Sequence, residues 1–233
     1  MDTALWLLNV ADATPATLAA AESRLASDAR PRLQRITRAA VRDRFVLSRT
    51  LLRHAAAEHV GCTPERIGIA ERDDDAPRVS RDDGRELHVS LSHSGDWVAC
   101  AVSAHAPLGL DIEDMRKPRD VAAISAWAFH APEHDWVLRQ PNHTSAFYRL
   151  WTGKEAIYKL AHRLGQAPLM LRIEFDVQGD TLVAPPPAAR LSHLVVYPLL
   201  ACTVAGSQPD SRPLEPATLR RLGATGLAAL LTR

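Results

Sequence analysis

The sequence contains only three cysteines, at positions 62, 100 and 202, and no two of them form a CxxC pair. Cysteines so few and so widely spaced argue against a disulfide framework or a thiolate zinc site, and they are typical of a reducing compartment. No apolar run approaches the roughly 20 residues that a membrane-spanning helix needs. The N-terminal segment MDTALWLLNVADA carries Asp2 where a signal peptide has basic residues, so it predicts a first strand. We therefore expect a cytoplasmic protein that does not enter membranes.

Charge of one sign is not in excess, because 28 basic and 27 acidic residues give a net charge of +1. This balance, and the lack of a recognisable nucleic-acid-binding motif, argue against a DNA-binding protein. The distribution is uneven, however. Nine arginines stand between Arg24 and Arg53 against two aspartates, and seven acidic residues stand between Glu71 and Glu86. The acidic stretch predicts a loop. The arginine-rich segment is either a solvated helix face or an anion site, and composition leaves both open.

The pattern of apolar residues divides the chain into two similar halves. A content of 46% hydrophobic and 24% charged residues is that of a globular protein. Helical periodicity covers residues 38–61 and again 144–165, with short β-rich runs around both segments. The order strand, helices, strands occurs twice, which predicts an α+β fold with subdomains at residues 1–107 and 108–233 and a functional site at their interface. The last twenty residues, rich in proline and alanine, predict a loose tail.

The first candidate motif is the pair of carboxylates in LGLDIED. Asp111 and Glu113 are two residues apart, so on a strand both side chains leave the same face. Two close carboxylates repel each other and need a proton, a basic neighbour or a cation. Oxygen ligands of this kind suit Mg²⁺ or Mn²⁺. The alternative is a solvated strand edge, where an isolated Asp-x-Glu also occurs.

The second motif is WTGKEAIYKL, which falls on the predicted helix of residues 144–165. Trp151, Glu155 and Lys159 recur every four residues and share roughly one helix face. Lys154 lies about 100° round the helix from Glu155 and could flank whatever Glu155 contacts. The alternative interpretation is an ordinary surface ion pair between Glu155 and Lys159, worth a few tenths of a kcal/mol.

The third motif, SHSGDW, predicts a hairpin between the runs LHVSLS and WVACAVS. Ser92 and His93 are adjacent strand residues and point to opposite faces, and no G-x-S-x-G elbow surrounds them, so the pattern does not favour a Ser-His hydrolase. Hydroxyl, imidazole and turn N–H groups suit phosphate oxygens. The alternative is a hairpin stabilised by serine and glycine with His93 exposed.

Taken together, the segments VSLSHSGDWVACAV, PLGLDIE and FYRLWTGKEAIYKL resemble the 4′-phosphopantetheinyl transferases, in particular the long pseudodimeric type that activates peptide and polyketide synthetases. That family pairs a (V/I)G(I/V)D(I/V)E block with a later WxxKEAxxK block, which stand here as residues 108–113 and 151–159. The resemblance covers roughly residues 30–174. It implies the family fold, in which two similar α+β subdomains form an intramolecular pseudodimer.

The resemblance also implies an activity. Such enzymes transfer phosphopantetheine from coenzyme A to a serine hydroxyl of an apo acyl or peptidyl carrier protein and release 3′,5′-ADP, in nonribosomal peptide, polyketide or fatty acid biosynthesis. The transfer breaks a pyrophosphate bond, so charge develops on phosphoryl oxygens and needs positive partners. By the same analogy the protein is a monomer without a nucleic-acid partner, and it needs Mg²⁺, with Mn²⁺ as a possible substitute. The implied metal ligands are Asp111, Glu113 and Glu155.

Further roles follow from the same resemblance. Glu155 is also the candidate base for the carrier serine, but the ligand role ranks first because both roles use the same oxygens. The implied catalytic residues are Glu155, Lys159 and Asp111. The implied coenzyme A contacts are Lys154 and Lys159 for the pyrophosphate, Ser92 and His93 for the phosphates of the 3′-phospho-ADP part, and Arg32, Arg35 and Arg44 for the 3′-phosphate.

The sequence departs from the family pattern in two places. Many members carry a Gly-Lys-Pro turn whose lysine helps to bind coenzyme A. Here the turn is Asp75-Ala76-Pro77, so either Arg78 substitutes or the contact is absent. The Gly-x-Gly that commonly follows the second block is replaced by AHRLG. Two alternatives remain open: an inactive relative that binds coenzyme A or a carrier protein, and a different metal-dependent phosphoryl-transfer enzyme. The intact acidic residues argue against the first, and the lack of a P-loop argues against the second.

Overall fold

The fold is taken from a computed structural model that describes residues 3–72, 76–196, 200–208 and 219–232. Helices and strands both contribute, so the predicted α+β class is confirmed. The strands are β1 (Ala4–Asn9), β2 (Ile67–Ala70), β3 (Arg78–Arg81), β4 (Glu86–Ser94), β5 (Trp97–Ser103), β6 (Leu108–Asp114), β7 (Asp176–Gln178), β8 (Thr181–Val183), β9 (Arg190–Val196), β10 (Leu200–Gly206) and β11 (Leu219–Arg221). The helices are α1 (Pro15–Ser23), α2 (Ala29–Arg35), α3 (Ala39–Val60), α4 (Val121–Ala128), α5 (Ala131–Arg139), α6 (His143–Arg163) and α7 (Ala224–Thr232). Within the described ranges, none of these helices has the length and apolar character needed to cross a membrane.

The first of two compact units contains the described residues up to His105 together with residues 219–232. Its sheet has the strand order β11-β1-β5-β4-β3-β2, and α3 packs across β1 and β5. The helix predicted over residues 38–61 is confirmed by α3, whose residues Leu47, Leu51 and Leu52 are completely buried at helical spacing. It ends where Gly61 adopts the left-handed conformation, with φ 67°, which glycine tolerates best.

Two expectations for this unit are wrong. The acidic stretch predicted as a loop contains β3, because Val79 is buried in the core and lies opposite Leu87 of β4. Residues 73–75 of that stretch, and with them Asp75 of the Asp75-Ala76-Pro77 turn, lie outside the described residues. The predicted loose tail contains β11, which runs parallel to β1, and α7, which buries Leu227 in the core. In both segments a few buried apolar residues are enough to form a strand or helix, although the composition is largely polar or rich in alanine.

The predicted hairpin around SHSGDW is confirmed. β4 and β5 pair antiparallel up to Ser94 and Trp97, which leaves Gly95 and Asp96 as a two-residue turn. Gly95 has φ 57°, a conformation that side chains with a Cβ rarely adopt.

The second unit contains the described residues from Ala106 to residue 208. Its main sheet is antiparallel, with the order β6-β10-β9, and α6 lies across β6 and β10. α4 and α5 pack beside α6, while β7 and β8 form a small separate hairpin. The helix predicted over residues 144–165 is confirmed by α6, whose N-terminus is capped by the Asn142 side chain accepting from the Ser145 N–H.

The two units share a core topology. In the first unit β1 leads to α3 and then to the hairpin of β4 and β5, whose second strand pairs antiparallel with β1. In the second unit β6 leads to α6 and then to β9 and β10, whose second strand pairs antiparallel with β6. The strand orders β1-β5-β4 and β6-β10-β9 therefore correspond, and each unit has one long helix on its sheet.

Candidate active site

The candidate site begins where α6 lies very close to β6. A Cβ built on Gly109 would lie 1.9 Å from the carbonyl oxygen of Ala156 and 2.7 Å from the backbone nitrogen of Leu160. Only glycine fits at this crossing, because both atoms belong to the helix backbone. Alternate residues of a strand share a face, so Asp111 and Glu113 leave β6 on the same side as Gly109, toward α6. The glycine of the first sequence block thus brings the two blocks together.

Replacement of Gly109 by alanine is expected to lower the free energy of unfolding by about 1–3 kcal/mol, the usual cost of overpacking. The added methyl group meets helix backbone, so α6 has to move away from β6 to make room. Chemical denaturation of Gly109→Ala beside the wild type measures the loss. Gly223→Ala is the matched control, since a Cβ at Gly223 meets nothing within 4 Å. Equal stability losses in the two variants would contradict the close approach of strand and helix.

Lys159 joins the two sequence blocks directly. Its Nζ donates to Asp111 Oδ1 at 2.7 Å and to the carbonyl oxygen of Leu110 at 3.0 Å. The Asp111 side chain is 8% exposed and the Lys159 side chain 27%, so this ion pair is largely shielded from water. The contact links helix to strand, which an ion pair confined to the helix surface does not do.

Glu155 lies one turn before Lys159 on α6 and is half-buried. Burial raises the pKa of Glu155, and the charge of Asp111 raises it further. The charge of Lys159 lowers this pKa in part, while Glu113 raises it by a smaller amount. The three predicted metal ligands therefore interact electrostatically, as carboxylates in a common field do. Within the described ranges, however, no three acidic, histidine or cysteine side chains are already assembled as a metal-binding group.

Beside Asp111 lies a chain of buried hydrogen bonds that the sequence did not reveal. Thr203 stands opposite Asp111 on β10, and His193 stands opposite Thr203 on β9. The two threonine hydroxyls, of Thr152 on α6 and Thr203, are 2.6 Å apart, and Thr203 Oγ1 is 2.8 Å from His193 Nδ1. The chain therefore ties β9 and β10 to α6 next to the strand that carries the carboxylate.

The bond from the Thr152 hydroxyl fixes which group donates at each step of this chain. The Thr152 hydroxyl donates its only proton to the carbonyl oxygen of Tyr148, at 2.7 Å. It must then accept from Thr203, and Thr203 must accept from His193 Nδ1–H. His193 is therefore the neutral Nδ1–H tautomer, in agreement with burial and the charge of Arg149, which lower the pKa of His193 to about 4.

Lys154 does not occupy the position predicted for it. Its side chain is completely buried, with Nζ 2.8 Å from Glu133 Oε2, and it donates a further hydrogen bond to the carbonyl oxygen of Ile173. The ammonium group also lies 5.4 Å from the centroid of the Phe129 ring. Burial lowers the pKa of Lys154, and the hydrogen bond and charge of Glu133 offset part of this effect. An ammonium so enclosed has no access to a diphosphate, which corrects the sequence prediction, and Lys154 is instead half of a buried ion pair.

Three of the predicted residues belong to the hairpin of the first unit or contact its turn. Ser92 is buried in β4, and His93 is exposed on the opposite face. Arg44 of α3 donates through Nη1 to the carbonyl oxygen of Gly95, at 3.0 Å. The Nε of Arg44 is buried and has no hydrogen-bond partner among the described residues. The structure thus brings Arg44 to the Ser-His-Ser-Gly turn with one of its donors unused by the described part of the chain.

Arg32 and Arg35 stand in the last turn of α2. Arg32 donates to the carbonyl oxygen of Arg72 at 3.1 Å and lies 3.6 Å from Glu71. Glu71 also accepts two hydrogen bonds from Arg49, each 2.6 Å long. Arg35 is exposed. The charge of Arg32 is therefore shared with a carboxylate, which the sequence did not predict.

Comparison with known proteins shows what the segment that carries Asp111, Glu155 and Lys159 is similar to. The family model described as the 4′-phosphopantetheinyl transferase superfamily matches residues 107–186. This range contains β6 and α6, and with them both signature blocks. The resemblance predicted from the sequence is therefore confirmed.

Individual relatives agree with the family match. The chain is similar to the 4′-phosphopantetheinyl transferase psf-1 of Bacillus pumilus, with 39% identity over 141 residues that cover 58% of each chain. It is similar to the 4′-phosphopantetheinyl transferase of Bacillus subtilis, with 32% identity over 127 residues, 54% of this chain and 55% of the relative. A phosphopantetheinyl transferase of Thraustochytrium sp. is 27% identical over 194 residues, 77% of this chain and 67% of the relative. The chain thus spans about half the length of the first Bacillus relatives it matches.

Proposed function

We propose that this protein is a holo-[carrier protein] synthase, which transfers the 4′-phosphopantetheine group of coenzyme A to a serine hydroxyl of an apo acyl or peptidyl carrier protein and releases 3′,5′-ADP. The observation that carries this proposal is the contact of Lys159 with Asp111. It joins the two signature blocks within the segment that matches the superfamily. A cation, a carboxylate and the coupled Glu155 are thereby available to one phosphoryl-transfer site.

The donor set suits a hard divalent cation. Asp111 and Glu113 leave β6 on one side, and their charges raise the pKa of Glu155 on the facing helix. A cation bound among these carboxylates would relieve that repulsion, and oxygen-only ligands favour Mg²⁺ or Mn²⁺. We therefore assign Asp111, Glu113 and Glu155 as the residues that would hold the ion. When bound, Mg²⁺ supplies positive charge that neutralises the diphosphate oxygens.

The side chains of α6 would carry the chemistry at the diphosphate. The serine oxygen of the carrier bonds to the phosphorus that bears pantetheine, and the bond from that phosphorus to the oxygen of 3′,5′-ADP breaks. Lys159, which donates to Asp111, would stabilise the charge that develops on the departing phosphate. Glu155 is the candidate acceptor for the serine proton, since burial and its acidic neighbours raise its affinity for a proton. Its role as ligand ranks above its role as base.

The first unit would supply the contacts to the 3′-phospho-ADP part of coenzyme A. Arg44 is the strongest candidate, because its buried Nε lacks a partner among the described residues. Ser92 and His93 lie in the hairpin strand that leads to the turn contacted by Arg44. Arg32 and Arg35 rank below them, because Arg32 already lies against Glu71. Bidentate guanidinium contacts are well suited to phosphate groups.

Three further properties belong to the proposal. The matching core topologies of the two units support the pseudodimeric fold of the long transferases. The expected partners are coenzyme A and an apo carrier protein, with no nucleic acid, and the expected state is a cytoplasmic monomer. The competing candidate is an inactive relative that binds coenzyme A or a carrier protein without transferring anything. The assembled Asp111–Lys159 pair favours the enzyme, because a binding module has no need of it.

Intact-mass spectrometry tests the transfer. The protein is incubated with coenzyme A, Mg²⁺ and a panel of apo acyl and peptidyl carrier proteins, each paired with a variant that lacks the acceptor serine. Transfer adds about 340 Da to a carrier, the mass of the phosphopantetheine group. We expect this gain on at least one intact carrier and on none of the serine variants. Binding of coenzyme A without a mass gain on any carrier would favour the inactive relative and overturn the proposal.

A further inference from the structure

A second feature of the first unit is a cavity of about 290 Å³ between α1, α3 and α7. Its lining is mainly apolar and includes Leu25, Ile69 and Leu231. The cavity is partly open to solvent and has room for about ten water molecules. None of the residues proposed for the transfer reaction lines it. Its volume and its mainly apolar lining are those of a small ligand pocket.

The polar part of the lining comes largely from one stripe of α3. Arg49, Thr50, Arg53 and His54 follow one another at the spacing of a single helix face, and all four border the cavity. The stripe thus brings two guanidinium groups and an imidazole to a cavity whose lining is mainly apolar by area.

The two arginines that remain available are Arg53 and Arg24. Arg49 is engaged in its two hydrogen bonds with Glu71. Arg53 has only a long bond, 3.4 Å, to the carbonyl oxygen of Arg24, and Arg24 donates to the carbonyl oxygen of Leu230 at 2.9 Å. Within the described ranges neither guanidinium group donates to a carboxylate, although both act on the charge of Glu65, which also lines the cavity.

The charge of the whole lining indicates a monoanion. Three arginines and two glutamates border the cavity, which leaves one positive charge in excess. Burial lowers the pKa of His54, with Arg220 adding to the effect and Glu58 opposing it, so the imidazole is neutral at neutral pH. A single excess charge at the edge of an apolar space complements a ligand with one negative charge and a hydrocarbon tail, and it does not complement a dianion.

We propose that this cavity binds an aliphatic carboxylate of about eight carbons, with the carboxylate at Arg24 and Arg53 and the chain against Leu25, Ile69 and Leu231. The space of about ten water-sized units matches the roughly ten non-hydrogen atoms of octanoate. The arginines donate hydrogen bonds to the carboxylate, and the alkyl chain covers apolar surface that no side chain covers. The site is separate from the transfer chemistry and does not depend on it.

Isothermal titration of the full chain with octanoate tests the site. We expect one saturable site with a Kd of about 0.1–1 mM, the range that ten well-buried atoms support. Butanoate and hexadecanoate should bind at least about tenfold more weakly than octanoate. The chain of butanoate is too short to fill the cavity, and the chain of hexadecanoate is too long to fit in it. Octanol and the dianion octyl phosphate should also bind more weakly, which separates a carboxylate site from a general hydrophobic or phosphate site.

Variants assign the binding to the cavity. Arg53→Gln is expected to weaken octanoate about tenfold, the usual effect of losing a hydrogen bond to a charged group. Arg30→Gln is the matched control, since Arg30 also has only a 3.4 Å bond to a carbonyl oxygen, that of Ser23, and does not line the cavity. Ala26→Leu should abolish binding by filling the space from its half-buried edge. No saturation by about 10 mM octanoate, equal affinities of the Arg53 and Arg30 variants, or unchanged affinity in Ala26→Leu would each overturn the proposal.

Discussion

Replacing Glu155 by glutamine is expected to reduce the transfer of phosphopantetheine by about 10²–10⁴-fold, the contribution typical of a group that handles a proton in the transition state. The amide keeps the shape of the side chain but can neither accept the serine proton nor supply a negative charge to a cation. The measurement is the rate of mass gain on a carrier protein that the wild type modifies. Glu58→Gln is the control, because Glu58 is an exposed glutamate that belongs to neither signature block.

The same substitution should make the metal-free protein more stable at neutral pH. Burial and the charge of Asp111 raise the pKa of Glu155 above its ordinary value of 4.5, so the folded state disfavours the carboxylate. The raised pKa of Glu155 stabilises the folded protein fully at a pH below the ordinary pKa of glutamate. This stabilisation is lost as the pH rises through the pKa that Glu155 has in the folded protein. Glutamine stays neutral throughout, so Glu155→Gln should have a higher Tm than the wild type at pH 7.5, and the difference should vanish near pH 4.

Addition of Mg²⁺ gives this stability comparison a second readout. A cation held by Asp111, Glu113 and Glu155 should raise the Tm of the wild type more than that of Glu155→Gln, because ligands stabilise the state that binds them. Thermal melts of both proteins, with and without Mg²⁺, measure this. An active Glu155→Gln protein, or one that is less stable than the wild type at every pH, would contradict the placement of Glu155 among like charges.

The second large effect is expected at Lys154, where replacement by methionine should lower the free energy of unfolding by about 3–5 kcal/mol. Glu133 would then be left as an unpaired buried carboxylate. Glu133 is held from two other directions as well: Oε1 accepts from the Phe175 N–H at 2.8 Å, and Oε2 accepts from the His130 N–H at 3.0 Å. The pair thus fastens α5 and the chain before β7 to α6. Chemical denaturation measures the loss, with the exposed Lys117→Met as control.

A double-mutant cycle separates this structural role from a catalytic one. The double variant Lys154→Met/Glu133→Gln is expected to lose less stability than the two single variants together, by about 0.5–3 kcal/mol, because no buried charge is left without a partner. Its transfer rate should also remain close to that of the wild type. If Lys154→Met instead leaves stability unchanged and slows transfer, Lys154 contacts the diphosphate as its place in the signature predicts, and the buried pair is not its main role.

The parts of the fold and site that the sequence predicted are those with a local signal. The periodicity of residues 38–61 and 144–165 gave α3 and α6, and the alternation around SHSGDW gave the β4–β5 hairpin. The strand period of two was enough to place Asp111 and Glu113 on one face. The signature blocks then connected β6 with α6, and the Lys159–Asp111 contact lies at that connection.

The parts that could not be predicted depend on partners distant along the chain. Lys154 is adjacent to Glu155, and only the position of Glu133, on a different helix, decides that its ammonium is buried. The chain from His193 through Thr203 to Thr152 requires the register of β9 with β10, which no single residue reveals. The C-terminal strand β11 pairs with β1 across almost the whole length of the sequence.

Transfer by metal-stripped protein, with and without added Mg²⁺, tests most directly whether Asp111, Glu113 and Glu155 hold a divalent ion beside the diphosphate. The protein is treated with EDTA, freed of chelator and supplied with coenzyme A and an apo carrier protein. We expect no mass gain on the carrier until Mg²⁺ or Mn²⁺ is added, and full conversion afterwards. Full conversion by the stripped protein without any added metal would contradict the role assigned to the three carboxylates.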